Sequence, residues 1–143
     1  MAYTTVVTSG FFEQVMTFLG DLQRERGPIA LAMLTPANGG YTDSWNLYLS
    51  AAWLDRIGLH DGTKAMTASA RQKLGTFAKQ YKGTWIVRTN ELLVETLTST
   101  FDIREVGTAY RVDSLELSFF GIEDAVILIA NSSARNLGHK ISA

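Results

Sequence analysis

Residues 29–35 read Ile-Ala-Leu-Ala-Met-Leu-Thr, and the fold turns on them. Apolar residues fill both alternating positions, so a strand here is apolar on both faces and lies centrally in a sheet. Residues 125–130, Ala-Val-Ile-Leu-Ile-Ala, repeat the pattern near the far end of the chain. Ile29–Leu34 and Ala125–Ala130 are the longest apolar runs, six residues each. A membrane-spanning helix needs about 20, so none is expected.

Just upstream, Gly27-Pro28 marks the end of a helix, Gly as a left-handed cap and Pro as a block to continuation. With Phe11 at zero and about 100° per residue, Phe11, Phe12, Val15, Met16, Phe18, Leu19 and Leu22 fall within a sector of roughly 160°. Glu13, Gln14, Thr17, Asp21, Arg24 and Glu25 fall on the other side. Ser9 is the expected N-cap. Glu13 in the first turn and Arg24 and Arg26 in the last suit the helix dipole.

Downstream, Pro36-Ala37-Asn38-Gly39-Gly40 is turn chemistry. Trp45, Leu47, Leu49, Ala51 and Trp53 then alternate with Asn46, Tyr48, Ser50 and Ala52, the period of a strand. An antiparallel hairpin with a long loop is expected, with Trp45 and Trp53 in the core and Tyr48 on the opposite face. A second helix is expected over about 63–82, with Met66, Ala70, Leu74, Phe77 and Tyr81 on its apolar side and Gly83 closing it. Thr84–Thr89 reads as a short strand. Asn90 can cap a third helix carrying Leu93, Val94, Leu97 and Phe101, although its Thr and Val content leaves a strand open. Tyr110 and Val112 form one alternating segment, and Leu115, Leu117 and Phe119 another, with a turn at Phe120-Gly121. Residues 131–143 read as a polar tail.

The expected order is α-β-β-α-β-(α)-β-β-β in one domain spanning 1–143. Directly joined strands argue for an α+β fold: a mostly antiparallel sheet of about five to six strands, with two or three helices laid on one face. The order is similar to that of profilin-like and longin-like domains, which begin α-β-β-α-β or a rearrangement of it. The likeness is one of topology, and a fold does not fix a function.

Composition narrows the function classes. Of 143 residues, 46% are hydrophobic, which argues against disorder, and the net charge is −1, which argues against a globally basic nucleic-acid coat. There is no cysteine, so disulfide frameworks, thiolate nucleophiles, zinc ribbons and iron–sulfur clusters are out. The first ten residues carry no basic residue and no long apolar stretch, so a secretory signal is not expected and a soluble, cytoplasmic protein is. Asn131-Ser132-Ser133 matches a glycosylation sequon, which has no meaning in that setting.

No pattern points to a catalyst. Asp55, His60 and Asp61 offer metal-ligand chemistry, but their spacing fits no metal motif. Asp61 is expected to cap the second helix, with His60 in an exposed loop and His139 in the tail. Gly58–Lys64 superficially resembles a phosphate loop before a helix. It has three rather than four residues between its glycines, ends in Thr-Lys, and lacks the preceding buried strand. No Gly-x-Ser-x-Gly occurs. The carboxylate pairs Glu123/Asp124 and Glu91/Glu95 read as solvated surface. No metal or cofactor is expected.

Charge segregation is the more informative feature. Lys64, Arg71, Lys73, Lys79, Lys82 and Arg88 lie between Gly62 and Asn90 with no acid among them. Between Glu91 and Asp124 lie eight acids and two bases. On the expected second helix Lys64, Arg71, Lys79 and Lys82 project within roughly 80° at 100° per residue. Tyr41 and Tyr48 add aromatics of the kind enriched at interfaces and ligand mouths. The expectation is a protein-interaction or scaffold module without catalysis. It would pair with itself as a homodimer or with an acidic protein, through Lys64, Arg71, Lys79, Lys82, Tyr41 and Tyr48. The alternatives are a small-ligand binder or minor enzyme with a pocket between helix and sheet, and nucleic-acid binding through the basic face of the 63–82 helix.

Overall fold

The computed structural model describes residues 3–6, 10–37, 44–112, 115–122 and 124–135. The chain is α+β. Six strands form one mixed sheet in the order β1-β5-β6-β2-β3-β4. These are β1 (Tyr3–Val6), β2 (Leu31–Pro36), β3 (Trp45–Ser50), β4 (Tyr81–Ile86), β5 (Ala109–Val112) and β6 (Ala125–Ala130). All neighbours are antiparallel except β3 and β4, which run parallel. The two runs that are apolar on both sides, β2 and β6, lie side by side at the centre, and all their apolar residues are buried.

Helix α1 (Phe11–Arg26) follows its apolar stripe, burying Phe11, Val15, Met16, Phe18, Leu19 and Leu22. Each side chain so removed from water stabilises the fold by about 1.5–3 kcal/mol relative to exposure. The helix ends at Gly27, whose N–H returns to Gln23 O at 3.2 Å. Its N-cap position is Gly10, which makes no side-chain bond, and Ser9 lies outside the described residues. With α2 (Ala52–Ile57) and α3 (Leu59–Leu74), α1 covers one face of the sheet, packing on Ala32, Leu34, Leu47, Leu49, Val126 and Leu128.

The opposite face is covered as well, a correction to the expectation of helices on one face. Helix α4 (Leu92–Thr100) and the short α5 (Leu115–Ser118) pack on Leu31, Met33 and Ile127 through Leu93, Val94, Leu97 and Leu117. A strand apolar on both sides needs cover on both, so β2 and β6 already required this second layer.

Several elements differ from the sequence reading, each for a physical reason. Within 90–101 the chain forms the helix α4, because Leu93, Val94 and Leu97, with Phe101 just beyond its end, meet the second core while Leu92 stays exposed. The alternation through 45–53 stops at Ser50. Trp53 sits on α2 and donates its indole N–H to Gly27 O and Pro28 O, both at 3.2 Å. The expected 63–82 helix begins earlier and stops at Leu74. Gly75 takes φ 55°, a left-handed conformation that favours glycine, and a 3-10 turn (Gly75–Gln80) leads into β4. Tyr81 and Lys82 are therefore strand residues. His60 and Asp61 lie exposed in the first turn of α3, and Asp61 caps nothing. Residues 115–118 are helical rather than extended. The supposed tail is ordered at its start: Asn131 caps a 3-10 turn (Ser132–Ala134), Ala134 is buried, and Arg135 Nε donates to Thr89 O at 3.1 Å. Strand β1 was not foreseen. Residues 38–40 of the turn expected over 36–40, Tyr41, Glu123 and His139 lie outside the described residues.

Among the described residues, no helix is long and apolar enough to cross a membrane.

Candidate functional site

The sheet is not covered evenly. On the face that carries α4 and α5, cover extends over β2 and β6 but thins out at the β3–β4 wing. Tyr48 of β3 and Trp85 of β4 are register partners there, and their rings stack with centroids 6.4 Å apart and an interplanar angle of 29°. Tyr48 is half-buried against the second core, whereas Trp85 is 58% exposed. One face of the indole is thus supported by Tyr48 while the ring stands in solvent. Exposed aromatics held in this way are what interfaces use as anchors.

β4 is also the last strand of the sheet. An edge strand offers unpaired N–H groups to any passing strand, and here the edge is partly closed. Val87 N–H points inward to Leu49 O at 2.9 Å. Alternation directs Thr84 N–H outward, where Thr67 Oγ1 of α3 accepts it at 3.3 Å. Tyr81 Oη shares a short hydrogen bond with Thr84 Oγ1. A register shift against Trp45 and Asn46 leaves Lys82 as an extra, exposed residue. Bulge, lysine and overhanging threonine together make strand addition at this edge unfavourable. The wing is open on its face rather than along its edge.

The flank of α3 that carries Thr67 also carries Lys64 and Arg71, by helical spacing. Arg71 lies close enough for its charge to act on Tyr81. Burial raises the Tyr81 phenol above its ordinary value, and the Thr67 and Thr84 hydroxyls and Arg71 pull it partly back. The expected basic stripe is therefore corrected in its construction. Lys64 and Arg71 come from α3, Lys79 from the 3-10 turn and Lys82 from β4. No single helix presents all four; they are spread over α3, a 3-10 turn and β4. All four are exposed, and none is in an ion pair among the described residues. Lys73, on another flank, is held by Asp21 of α1 at 2.6 Å. The sequence reading takes Trp85 as an aromatic near the basic residues and Arg88 as one of those residues, without placing either on the expected interaction surface. The signal for Trp85 was its place three residues beyond Lys82 in a strand whose partner carries Tyr48.

The other candidates take structural roles. Both carboxylate oxygens of Asp55 are occupied by Thr89, whose N–H donates at 3.2 Å and whose hydroxyl donates at 2.5 Å. Among the described residues no three His, Asp or Glu side chains group as metal ligands. Asp124 pairs with Arg111. The segment 58–64 forms no loop, since Gly58 directly precedes α3 and Gly62 packs inside it against Leu54 and Ile86. Between the helices α1 and α3 runs an open furrow of about 350 Å³, lined by Phe18, Leu22, Glu25, Met66, Gln72 and the Asp21–Lys73 pair among others. It is a helix–helix furrow, whereas the expected pocket was between helix and sheet.

Comparison with known proteins gives no matching family model, no matching curated protein and no matching solved structure.

Proposed function

We propose that this chain is an interaction module that associates with itself, using the bare face of the β3–β4 wing. The observation that carries the proposal is Trp85, 58% exposed yet braced by Tyr48 on the part of the sheet left uncovered. A monomer gains nothing from holding an indole in water, whereas a partner that covers it gains the burial of a large apolar ring. Lys82, exposed on the same strand and in no ion pair among the described residues, helps to steer that partner. A cytoplasmic setting belongs to the same proposal and rests on the sequence alone.

Native mass spectrometry and size-exclusion chromatography of the full chain test it. The expected result is a dimer that becomes monomeric in Trp85→Glu with an unchanged melting temperature. A wild-type chain that stays monomeric at high micromolar concentration overturns the proposal. Retention of a small molecule in the native spectrum would support a ligand-binding role instead. Salt-sensitive binding to an oligonucleotide would support a nucleic-acid role.

A further inference from the structure

Trp85 is the exposed end of a row that crosses the sheet. The register pairs Trp85 with Tyr48, Tyr48 with Met33 and Met33 with Ile127, all on the face that carries α4 and α5. Trp85 is open and Tyr48 half-buried, whereas Met33 and Ile127 are fully buried. Over β2 the seal is α4, through Leu93, Val94 and Leu97.

That helix is weakly made. It has nine residues, and a helix shorter than about 12–15 residues is marginal by itself. Four of the nine are Thr96, Thr98, Ser99 and Thr100, poor helix formers. Three of these donate their hydroxyls to carbonyls one turn back: Thr98 to Val94 O at 2.7 Å, Ser99 to Glu95 O at 2.7 Å and Thr100 to Thr96 O at 3.0 Å. Such bonds loosen a helix slightly. Ser50 lies two residues beyond Tyr48 on β3 and so faces the same layer. It is fully buried, and its hydroxyl has no hydrogen-bond partner among the described residues. The closed layer thus keeps a polar group dry and unpaired, a cost that opening relieves.

The chain on either side of α4 is fastened. Before the helix, Thr89 is fully buried, and its N–H and hydroxyl donate to the two carboxylate oxygens of Asp55 at 3.2 and 2.5 Å. Its carbonyl accepts from Arg135 Nε at 3.1 Å. After the helix, Ile103 and Ala130 exchange backbone hydrogen bonds of 2.8 and 2.9 Å. We infer that α4 is a lid on the sheet. It lifts between two fixed points, Thr89 and Ile103, and uncovers Met33 and Ile127, so that the apolar row continues inward from Trp85 and Tyr48. The inference stands on these contacts alone and holds for a monomer as for a dimer.

Amide hydrogen exchange of the full chain in native buffer tests it. After correction for intrinsic rates, the amides of Leu97–Thr100 should exchange about tenfold or more faster than those of Val15–Leu22 in α1, while Thr89 and Ile103 stay as protected as β2. Exchange of α4 at the rate of α1 overturns the inference. So does loss of protection at Thr89 and Ile103 together with α4. The chain has no cysteine, so single introduced thiols report which face opens. Met33 and Leu34 are adjacent on β2, equally buried, and face opposite layers. The thiol introduced by Met33→Cys should react with a maleimide about tenfold or more faster than that introduced by Leu34→Cys. Equal rates, or a faster reaction at position 34, overturn the inference.

Discussion

Leu47 and Tyr48 are neighbours on β3 that face opposite sides of the same sheet. Leu47 is sealed beneath the α1 and α3 layer, and Tyr48 is only half-buried with an exposed Trp85 on top of it. The contrast comes from helix length. Two 16-residue helices cover the first face, but the second has one helix of nine residues and one of four. At 1.5 Å per residue each of the longer helices runs about 24 Å and α4 about 14 Å. The second layer has less helix to lay on the sheet, and Trp85 of β4 is left exposed.

Substitutions should separate the two sides, the largest effect first. Leu47→Ala opens a cavity under the longer helices and should cost about 2–5 kcal/mol in a denaturant titration. A loss below 1 kcal/mol would mean the first layer is looser than its burial indicates. Thr67→Val keeps the shape of α3 but leaves Thr84 N–H unpaired, a cost of about 1 kcal/mol. It should also move the Tyr81 titration, followed at 295 nm, further upward, since the Thr67 hydroxyl is one of the groups that lower it. The linkage has a definite sign. A phenol whose folded pKa is raised contributes stability that is complete below its ordinary value near 10 and is lost as pH climbs through the folded value. Alkaline unfolding should therefore begin above pH 10, and an onset below that would contradict the buried position of Tyr81. Trp85→Ala should change monomer stability by less than about 0.5 kcal/mol, although the same substitution should weaken the proposed association. A larger loss would show that Trp85 serves the core.

The smallest effect belongs to the Asp21–Lys73 pair on the solvated side of the helical layer. The hydrogen bond from Lys73 holds the Asp21 carboxyl below its ordinary value of 3.8, and Arg24 adds to it. The contribution is present above that value and is lost as pH falls through the lower, folded one. Melting temperatures of wild type and Lys73→Ala should differ slightly at neutral pH and converge in acid. A gap that persists in acid would assign the role of Lys73 to packing.

The same contrast explains what the sequence made legible. Helix α1 showed in its stripe, and β2 and β6 showed in apolar residues on both faces, because long well-covered elements leave a long pattern. That two-sidedness also announced the second helical layer. The 63–82 segment misled because Phe77 and Tyr81 continue the helical spacing into a 3-10 turn and a strand, and the left-handed turn at Gly75 leaves no trace in the apolar pattern. Trp53 misled because it sits where a strand rhythm would place it, although its indole is tied back to Gly27 and Pro28. β1 was hidden by its brevity, four residues whose only partner is β5 near the other end of the chain. The basic residues were visible as composition, but their division among α3, a 3-10 turn and β4 was not. Trp85 was legible as an aromatic near the basic residues, but its exposure on the sheet was not.

The strand order also sets a timetable for synthesis. β6 is the last strand among the described residues, yet it stands between β5 and β2, where β2 pairs with it on one side and with β3 on the other. In synthesis the segments of β2 and β3 are made before that of β6, so one edge of β2 has no strand partner until residues 125–130 exist, and an unpaired edge favours aggregation. β6 acts as a keystone that closes that edge and joins the two halves of the sheet, so a ribosome stalled before Ala125 holds an aggregation-prone product.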